Sequence, residues 1–346
     1  MAMPRIVVAM SGGVDSSVAA ALLAEAGYET VGVTLRLLGS PVHVEDARRV
    51  CSSLGIRHEV VDSRQRFERS VSGPFVREYL RGRTPVPCVE CNRRVKFGQL
   101  LPMARALGAE SLATGHYARL DRAGGAVRLL AAADGRKDQA YFLHRLTQSQ
   151  LRRALFPLGG MDKASVRRKA RSLGLENADK ADSQDVCFIP GGDYRSFVSR
   201  RSGRSPAPGE VRDRDGRVLG RHQGLSCYTV GQRKGLGLAS RAPLYVTRLD
   251  AATNTLVVGT EKETFSARFR VGRLSWTRPG AAPWGRPVSV RVRHRARLRP
   301  ASCARLGPRG AEVRLFEPER AVAPGQSAVF YDGEEVLGGG TIEEVL

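Results

Sequence analysis

Ala9-Met10-Ser11-Gly12-Gly13-Val14-Asp15-Ser16-Ser17 decides the fold. It follows a strand-like apolar run, Arg5 to Met10, and precedes a helix-like run from Ser16 to Ala26. A loop at that junction in a parallel α/β sheet presents backbone amides and a helix N-terminus to a phosphate. Gly12 and Gly13 tolerate backbone angles closed to other residues, so amides there can close around phosphate oxygens, and Ser11, Ser16 and Ser17 add hydroxyls. A glycine-rich turn that merely joins strand to helix is the plain alternative. The Gly-Lys-Ser/Thr ending of a Walker loop is absent, so the stretch reads as a phosphate cradle without a lysine.

The repeat of strand and helix continues from this loop. Helix Ser16 to Ala26 leads to strand Glu29 to Leu35, helix Glu45 to Leu54, strand His58 to Asp62 and helix Phe67 to Leu80. Pro85 and Pro87 then predict an extended loop carrying Cys88-Val89-Glu90-Cys91-Asn92. A helix Lys96 to Leu107 and a strand Ser111 to Thr114 follow, with Gly115-His116-Tyr117 past the strand's carboxyl end. Open α/β sheets bind ligands there. Asp134 to Phe142 reads as a polar turn entering an apolar run, Ser165 to Leu173 as a basic helix, and Ala181 to Pro190 as a loop bearing Cys187. After Ser202 helix signals largely stop, and short alternating segments punctuated by glycine and proline indicate β structure. Val288 to Arg293 and Ala328 to Tyr331 alternate at period two, as in an antiparallel barrel or sandwich. Arg291, Arg293, Arg295, Arg297 and Arg299 would line one face if that strand continues, either as a phosphate-binding stripe or as a charged protective edge.

Composition narrows the partners. With 56 Lys+Arg against 34 Asp+Glu in 346 residues, the net charge of +22 predicts a polyanion, although a general preference for arginine supplies part of the excess. The N-terminus enters a strand without a basic-then-apolar leader, and no apolar run nears the roughly 18 residues of a membrane span, so the chain reads as cytoplasmic. Its six cysteines then sit in a reducing compartment. Cys51, Cys227 and Cys303 lie in apolar or β phases and suit packing. Cys91 and Cys187 lie in polar, proline-bounded segments where burial offers no reason for a thiol. A thiolate can attack carbon, carry sulfur as a persulfide, or hold a metal. Cys88 and Cys91 form one Cys-x-x-Cys pair, but the second pair of a four-cysteine zinc site is missing.

Ser11-Gly12-Gly13-Val14-Asp15-Ser16 resembles the ATP-pyrophosphatase loop at every position, which implies ATP cleaved to AMP and pyrophosphate with AMP passing to a substrate oxygen. Adenylating a nucleobase carbonyl makes its oxygen a leaving group that a sulfur nucleophile can displace. With paired cysteines and a basic β appendage, that reaction is sulfur insertion into RNA. The chain is similar to the tRNA-specific 2-thiouridylase family in ordered stretches: Ala9 to Ser17, Thr84 to Phe97, Ala113 to Tyr117, Lys137 to Leu143, Asp182 to Ile189, Tyr228 to Gly237, Val292 to Arg295 and Pro324 to Tyr331.

The resemblance implies an α/β plus β chain with a Rossmann-like (HUP-type) doubly wound catalytic domain at 1–200, a small central β-rich domain at 201–266, and a C-terminal tRNA-binding β-barrel at 267–346. It implies that ATP, with Mg²⁺, contacts Ala9, Met10, Ser11, Gly12, Gly13, Val14, Asp15, Ser16, Leu35 and Gly115, with Asp15 serving the metal or the helix end. Cys91 is the implied nucleophile and Cys187 the persulfide carrier, the two forming a disulfide as sulfur leaves. Val86, Pro87, Cys88, His116, Lys137, Asp138, Gln139, Arg293, His294 and Gln326 match tRNA-contacting positions, and a cysteine desulfurase or relay protein is the implied sulfur donor. Two features depart from the family: Val86-Pro87-Cys88 stands where Asn-Pro-Asp is common, and the segment from Leu37 to Val44 is short. The extra thiol opens a variant in which Cys88, Cys91 and Cys187 ligate a 4Fe-4S cluster. An ATP-pyrophosphatase acting on a small metabolite, and a non-catalytic RNA-binding protein, are the competing readings; the first needs no basic barrel, the second no nucleotide loop.

Overall fold

The computed structural model describes residues 3–38, 42–180 and 186–346. Residues 39–41 of the short segment and 181–185 ahead of Cys187 lie outside the described residues.

Strand β1 (Arg5–Ala9) buries Ile6, Val7 and Val8 almost completely, which requires cover on both faces. It pairs in parallel with β2 (Glu29–Arg36) and, further along the chain, with β4 (Ser111–Thr114); β3 (Arg57–Asp62) lies beyond β2. Period-two alternation sends Val7 into one core with Phe97, Leu100 and Leu112, and Ile6 and Val8 into another with Val14, Val18 and Ala47. Helix α1 (Val14–Glu25) has alanine, valine or leucine at most positions and is buried nearly all round, while α2 (Val42–Ser53) covers β2 and β3. A hairpin, β5 (Arg119–Asp121) with β6 (Arg128–Leu130), and the short β7 (Ala154–Leu155) follow; β7 completes the all-parallel order β3-β2-β1-β4-β7. The order reverses between β1 and β4, so the loops leaving these two strands face each other, which is where such sheets take ligands.

The prolines after Leu80 do not force an extended loop through the cysteines. Pro87 starts a helix instead, at the first turn, where its missing N–H costs nothing. The chain stays helical from 87 to 106, and the middle part, Cys91–Lys96, is a π-helix; a second π stretch, Glu68–Ser72, interrupts the helix 64–80. A glycine follows each stretch, Gly73 directly after Ser72 and Gly98 two residues after Lys96. A Cβ at Gly98 would lie 2.9 Å from Arg93 O, and one at Gly73 3.0 Å from Glu68 O, so both glycines leave room for the carbonyl five residues back. Carbonyls released by the wide turn find outside donors: Gln150 Nε2 donates to Arg93 O at 2.8 Å and Arg66 Nε to Arg94 O at 2.9 Å.

The central sheet contains β8 (Gly209–Arg212), β9 (Val218–His222), β10 (Tyr245–Asp250) and β11 (Thr255–Gly259), around Val211, Val246, Leu256 and Val258. The C-terminal strands β12 (Phe265–Trp276), β13 (Val288–Arg291), β14 (Arg299–Leu306), β15 (Gly310–Arg320), β16 (Ser327–Asp332) and β17 (Glu335–Val345) close through the β12–β17 pairing into a six-stranded barrel. Hairpin β5–β6 joins the same sheet through Leu130 opposite Glu335. Val329, Tyr331 and Val336 of the barrel pack with Leu129 and Tyr141, so barrel and parallel sheet share a core. Among the described residues no helix is long and apolar enough to cross a membrane.

Gly98→Ala tests the π turn. An interior helical glycine replaced by alanine ordinarily gains about 1 kcal/mol; here the added methyl meets Arg93 O, and a loss of about 1–2 kcal/mol is expected in denaturant unfolding. A stabilised variant would show that the turn closes to a regular α-helix at no cost.

Candidate active site

The phosphate loop is built by its own hydroxyls. Ser11 N donates to Ser16 Oγ at 3.2 Å, and Ser16 Oγ donates to Gly13 O at 3.0 Å. Ser17 Oγ also donates to Gly13 O at 3.0 Å and accepts from Asn177 Nδ2 at 2.9 Å. Ser17 is fully buried, so it shapes the loop from behind and is not the ligand-facing donor expected from its sequence position. Gly12 has φ +71°, and a Cβ there would lie 2.8 Å from Asp46 Cβ and from His43 O. Gly115 is tighter still, since its Cβ would lie 2.7 Å from Asp15 C and Ser16 N. The loops leaving β1 and β4 therefore touch. Gly13 begins α1 with no side-chain cap, which leaves the first-turn amides to an anion. Ala9 and Met10 finish β1, Met10 N donating to Val33 O at 2.8 Å, and Leu35 stands half-buried near the end of β2. These residues fit a nucleotide's phosphates. Asp15 forms no cap; its Oδ1 accepts from Lys163 Nζ and from Tyr117 OH, each at 2.7 Å.

An aromatic cluster brings the two cysteine segments together. Phe188 packs edge-on to Phe67 at 5.0 Å, Phe75 at 5.4 Å and Phe197 at 5.3 Å between ring centroids, and Cys91 and Val95 belong to the same core. Cys91, on the π turn, is 6% exposed, contrary to the expectation of an open loop; Cys88 is half-buried and Cys187 exposed. Burial pushes the Cys91 thiol up to about 12 and the Cys88 thiol up to about 11, and desolvation also raises Cys187. The Lys96 ammonium opposes this at all three thiols by favouring their charged forms. Its Nζ reaches Nε2 of buried His116 at 3.5 Å, while Thr114 Oγ1 lies 2.6 Å from His116 Nδ1. Burial first, and then the Lys96 charge, hold His116 neutral, well below the ordinary imidazole value. Lys96 escaped the sequence reading because the wide turn Cys91–Lys96 changes which residues share a face with Cys91.

An iron–sulfur cluster is not supported. Among the described residues no three His, Cys, Asp or Glu side chains are grouped as metal ligands.

The candidate RNA-contacting residues divide between surface and scaffold. Asp138 is buried: Oδ1 accepts from Ala132 N and Ala140 N at 3.1 Å each, Oδ2 from Arg291 Nη1 at 3.1 Å, and its carbonyl lies 3.0 Å from His294 Nε2. Gln139 Oε1 accepts from Tyr117 N at 3.1 Å, and Lys137 is half-buried beside it. Gln326 Nε2 donates to Thr84 O at 2.9 Å, tying the barrel to the segment that leads into half-buried Val86, Pro87 and Cys88. The arginine stripe does not form. Strand β13 ends at Arg291 and the chain turns, because Arg291 pairs with Asp138, Arg293 with Glu319 at 3.0 Å, and Arg299 with Glu317 at 2.5 Å and Glu319 at 2.7 Å. An open hollow beside the cysteine helix, lined by Arg66, Arg69, Arg93 and Arg94, is a basic surface that the periodicity argument missed.

Comparison with known proteins covers the chain from end to end. Residues 4–191 match a tRNA methyl transferase HUP domain, 195–260 a tRNA methyl transferase PRC-barrel domain, and 266–342 an aminomethyltransferase beta-barrel domain. The chain is 46% identical to the tRNA-specific 2-thiouridylase MnmA of Carboxydothermus hydrogenoformans, over 99% of this chain and 98% of that protein. It is 48% identical to the MnmA of Bradyrhizobium sp., over 99% and 91%, and 48% identical to that of Syntrophotalea carbinolica, over 98% of each. A phosphate loop facing a cysteine site, inside a chain matched over almost its full length, places this protein in the tRNA-specific 2-thiouridylase family.

Proposed function

We propose that the chain is a tRNA sulfurtransferase that uses ATP to replace the C2 carbonyl oxygen of a wobble uridine with sulfur, releasing AMP and pyrophosphate. The observation carrying this reading is the aromatic core shared by the Cys91 helix and Phe188, which sets exposed Cys187 beside buried Cys91 on the domain bearing the phosphate loop.

The residues divide the work. First-turn amides from Gly13 onward and the Ser11 hydroxyl receive the phosphates of ATP, with Leu35 and Gly115 flanking the nucleotide. Mg²⁺, when bound with ATP, supplies charge neutralisation on the phosphates. The uridine O2 forms a bond to the α-phosphorus as the bridge to the β-phosphate breaks, and pyrophosphate leaves toward the loop. Cys187, the accessible thiol, takes a terminal sulfur from a protein persulfide donor. That sulfur attacks C2 and AMP departs. Cys91 then attacks Cys187 Sγ, which breaks the S–S bond, leaves the sulfur on the base and creates a Cys91–Cys187 disulfide that a thiol reductant reopens. Lys96 offsets the negative charge that burial resists on both sulfurs. Neutral His116, fixed through Nδ1 by Thr114, and the half-buried Val86, Pro87 and Cys88 border the entry of the flipped base. Lys137, Gln139, His294 and the hollow of Arg66, Arg69, Arg93 and Arg94 face the RNA backbone, and Asp138, Arg293 and Gln326 hold these surfaces in register. A tRNA substrate and a reducing environment for the thiols fit the cytoplasm.

Mass analysis of tRNA nucleosides after incubation with ATP and a persulfide donor tests the reaction. Cys187→Ser is expected to lose 2-thiouridine by about a thousandfold or more while tRNA-dependent pyrophosphate release continues. Undiminished thiolation would sink the assignment. Lys96→Met should shift iodoacetamide alkylation of Cys187 to higher pH and slow sulfur transfer at pH 8 by about an order of magnitude, with Lys96→Arg restoring both. An unmoved alkylation profile would remove Lys96 from the sulfur chemistry.

A further inference from the structure

The phosphate loop is gripped from behind by a turn that no motif in the sequence announces. Beyond the helix Lys163–Ser172 the chain turns through Leu175-Glu176-Asn177-Ala178. Leu175 and Ala178 are buried in the core that holds Val14 and Val18 of α1, and Lys180 N donates to Asn177 O at 3.1 Å. This anchoring sets the Asn177 side chain against the loop, where the residue is 8% exposed. Its Nδ2 donates to Gly12 O at 3.2 Å and to Ser17 Oγ at 2.9 Å. Only the nitrogen of the side-chain amide can face both atoms. Gly12 O is an acceptor alone, and Ser17 Oγ gives its hydrogen to Gly13 O.

The bond to Gly12 O has a stereochemical consequence for the next residue. The Gly12–Gly13 peptide is trans, so its C=O and N–H point to opposite sides. Holding the carbonyl toward buried Asn177 turns the Gly13 N–H away from the core, to the side where Ser11 is exposed and Gly13 itself half-buried. Among the described residues that N–H has no acceptor. Glycine on both sides lets this peptide plane rotate at little steric cost. A loop left free to rotate would offer a phosphate the carbonyl oxygen, which repels it, as well as the amide.

We propose that Asn177 is a positioning residue for pyrophosphate release: it locks the Gly12–Gly13 peptide so that the Gly13 amide stands ready to donate to the departing phosphates. This deepens the sulfurtransferase reading and rests on it for the identity of the leaving group. Asn177 acts through the peptide it holds, from the buried side of the loop.

The test compares two ligands on the full chain. Asn177→Leu, branched at the same carbon but without a donor, is expected to lower kcat for tRNA-dependent pyrophosphate release by about tenfold or more. Inhibition by inorganic pyrophosphate should weaken about tenfold, with inhibition by AMP within about threefold of wild type. Asn177→Ser, whose hydroxyl is too short to reach Gly12 O, carries the same expectation and serves where leucine overfills the site. Unchanged pyrophosphate inhibition, or equal losses for pyrophosphate and AMP in proportion to the folded fraction seen by circular dichroism, would overturn the proposal. Nuclear magnetic resonance reads the amide itself. With glycine isotopically labelled at both carbonyl carbon and amide nitrogen, only the six Gly-Gly peptides of the chain give carbonyl-to-amide cross-peaks. Gly13→Ala, whose Cβ would meet Ser11 Oγ at an ordinary 3.5 Å, removes the Gly12–Gly13 peak and so assigns it. Inorganic pyrophosphate should shift its proton downfield in the wild type and leave it in place in the Asn177 variants. A peak that stays still in the wild type, or moves equally in the variants, overturns the proposal. The two readings fail separately. Wild-type chain that releases pyrophosphate and makes 2-thiouridine upholds the reaction whatever Asn177 does, whereas the cross-peak is read without tRNA or thiolation.

Discussion

Burial of β1 on both faces is the constraint from which the catalytic domain follows. Ile6, Val7 and Val8 leave no face for water, so helices must cover the sheet above and below. Covering both faces by right-handed crossovers forces the strand order to reverse somewhere, and it does so beside β1. The loop from Ser11 to Gly13 and the loop at Gly115 are therefore neighbours by topology, and the close fit of Gly115 against Asp15 and Ser16 follows from that adjacency. Everything polar at the site is then mounted on an apolar frame: Cys91 and Cys187 by Phe67, Phe75 and Phe188, and the barrel by Val329, Tyr331 and Val336.

Period-two and helical patterning made most of this legible. Strand Ser111–Thr114 emerges where the apolar run predicts it, and β1, β2 and β3 lie within a residue or two of their expected ends. The reading failed where one residue has two meanings. Pro87 breaks a helix in its interior and starts one at its first turn, and only the residues packed afterwards, Val89 and Val95 among them, decide between these. The π turns were hidden for the same reason: Gly73 and Gly98 look like weak points in a helix, and their use appears only when the carbonyl five residues back is seen beside them. Cys91 consequently read as exposed, and Lys96 was passed over.

Charge was the other ambiguity. Counting lysine and arginine gives a net charge of +22 but says nothing about which cations are already paired. In the barrel, Arg291, Arg293 and Arg299 are occupied by Asp138, Glu317 and Glu319, so the alternating arginines belong to the scaffold that fixes a turn. The hollow of Arg66, Arg69, Arg93 and Arg94 draws its cations from two helices separated in sequence, and no local periodicity announces it. Asp138 shows the converse. It matches a family position that touches tRNA, and in this chain its carboxylate is buried and engaged within the protein.

The hairpin β5–β6, which continues the barrel sheet at Leu130 and Glu335, has a mechanical consequence. A hinge between catalytic domain and barrel would have to tear sheet hydrogen bonds, break the Arg119–Glu334 ion pair at 2.8 Å and open a common apolar core. The span from barrel to thiol is thus a fixed gauge. Neither end of that span can move toward or away from the other without breaking these contacts.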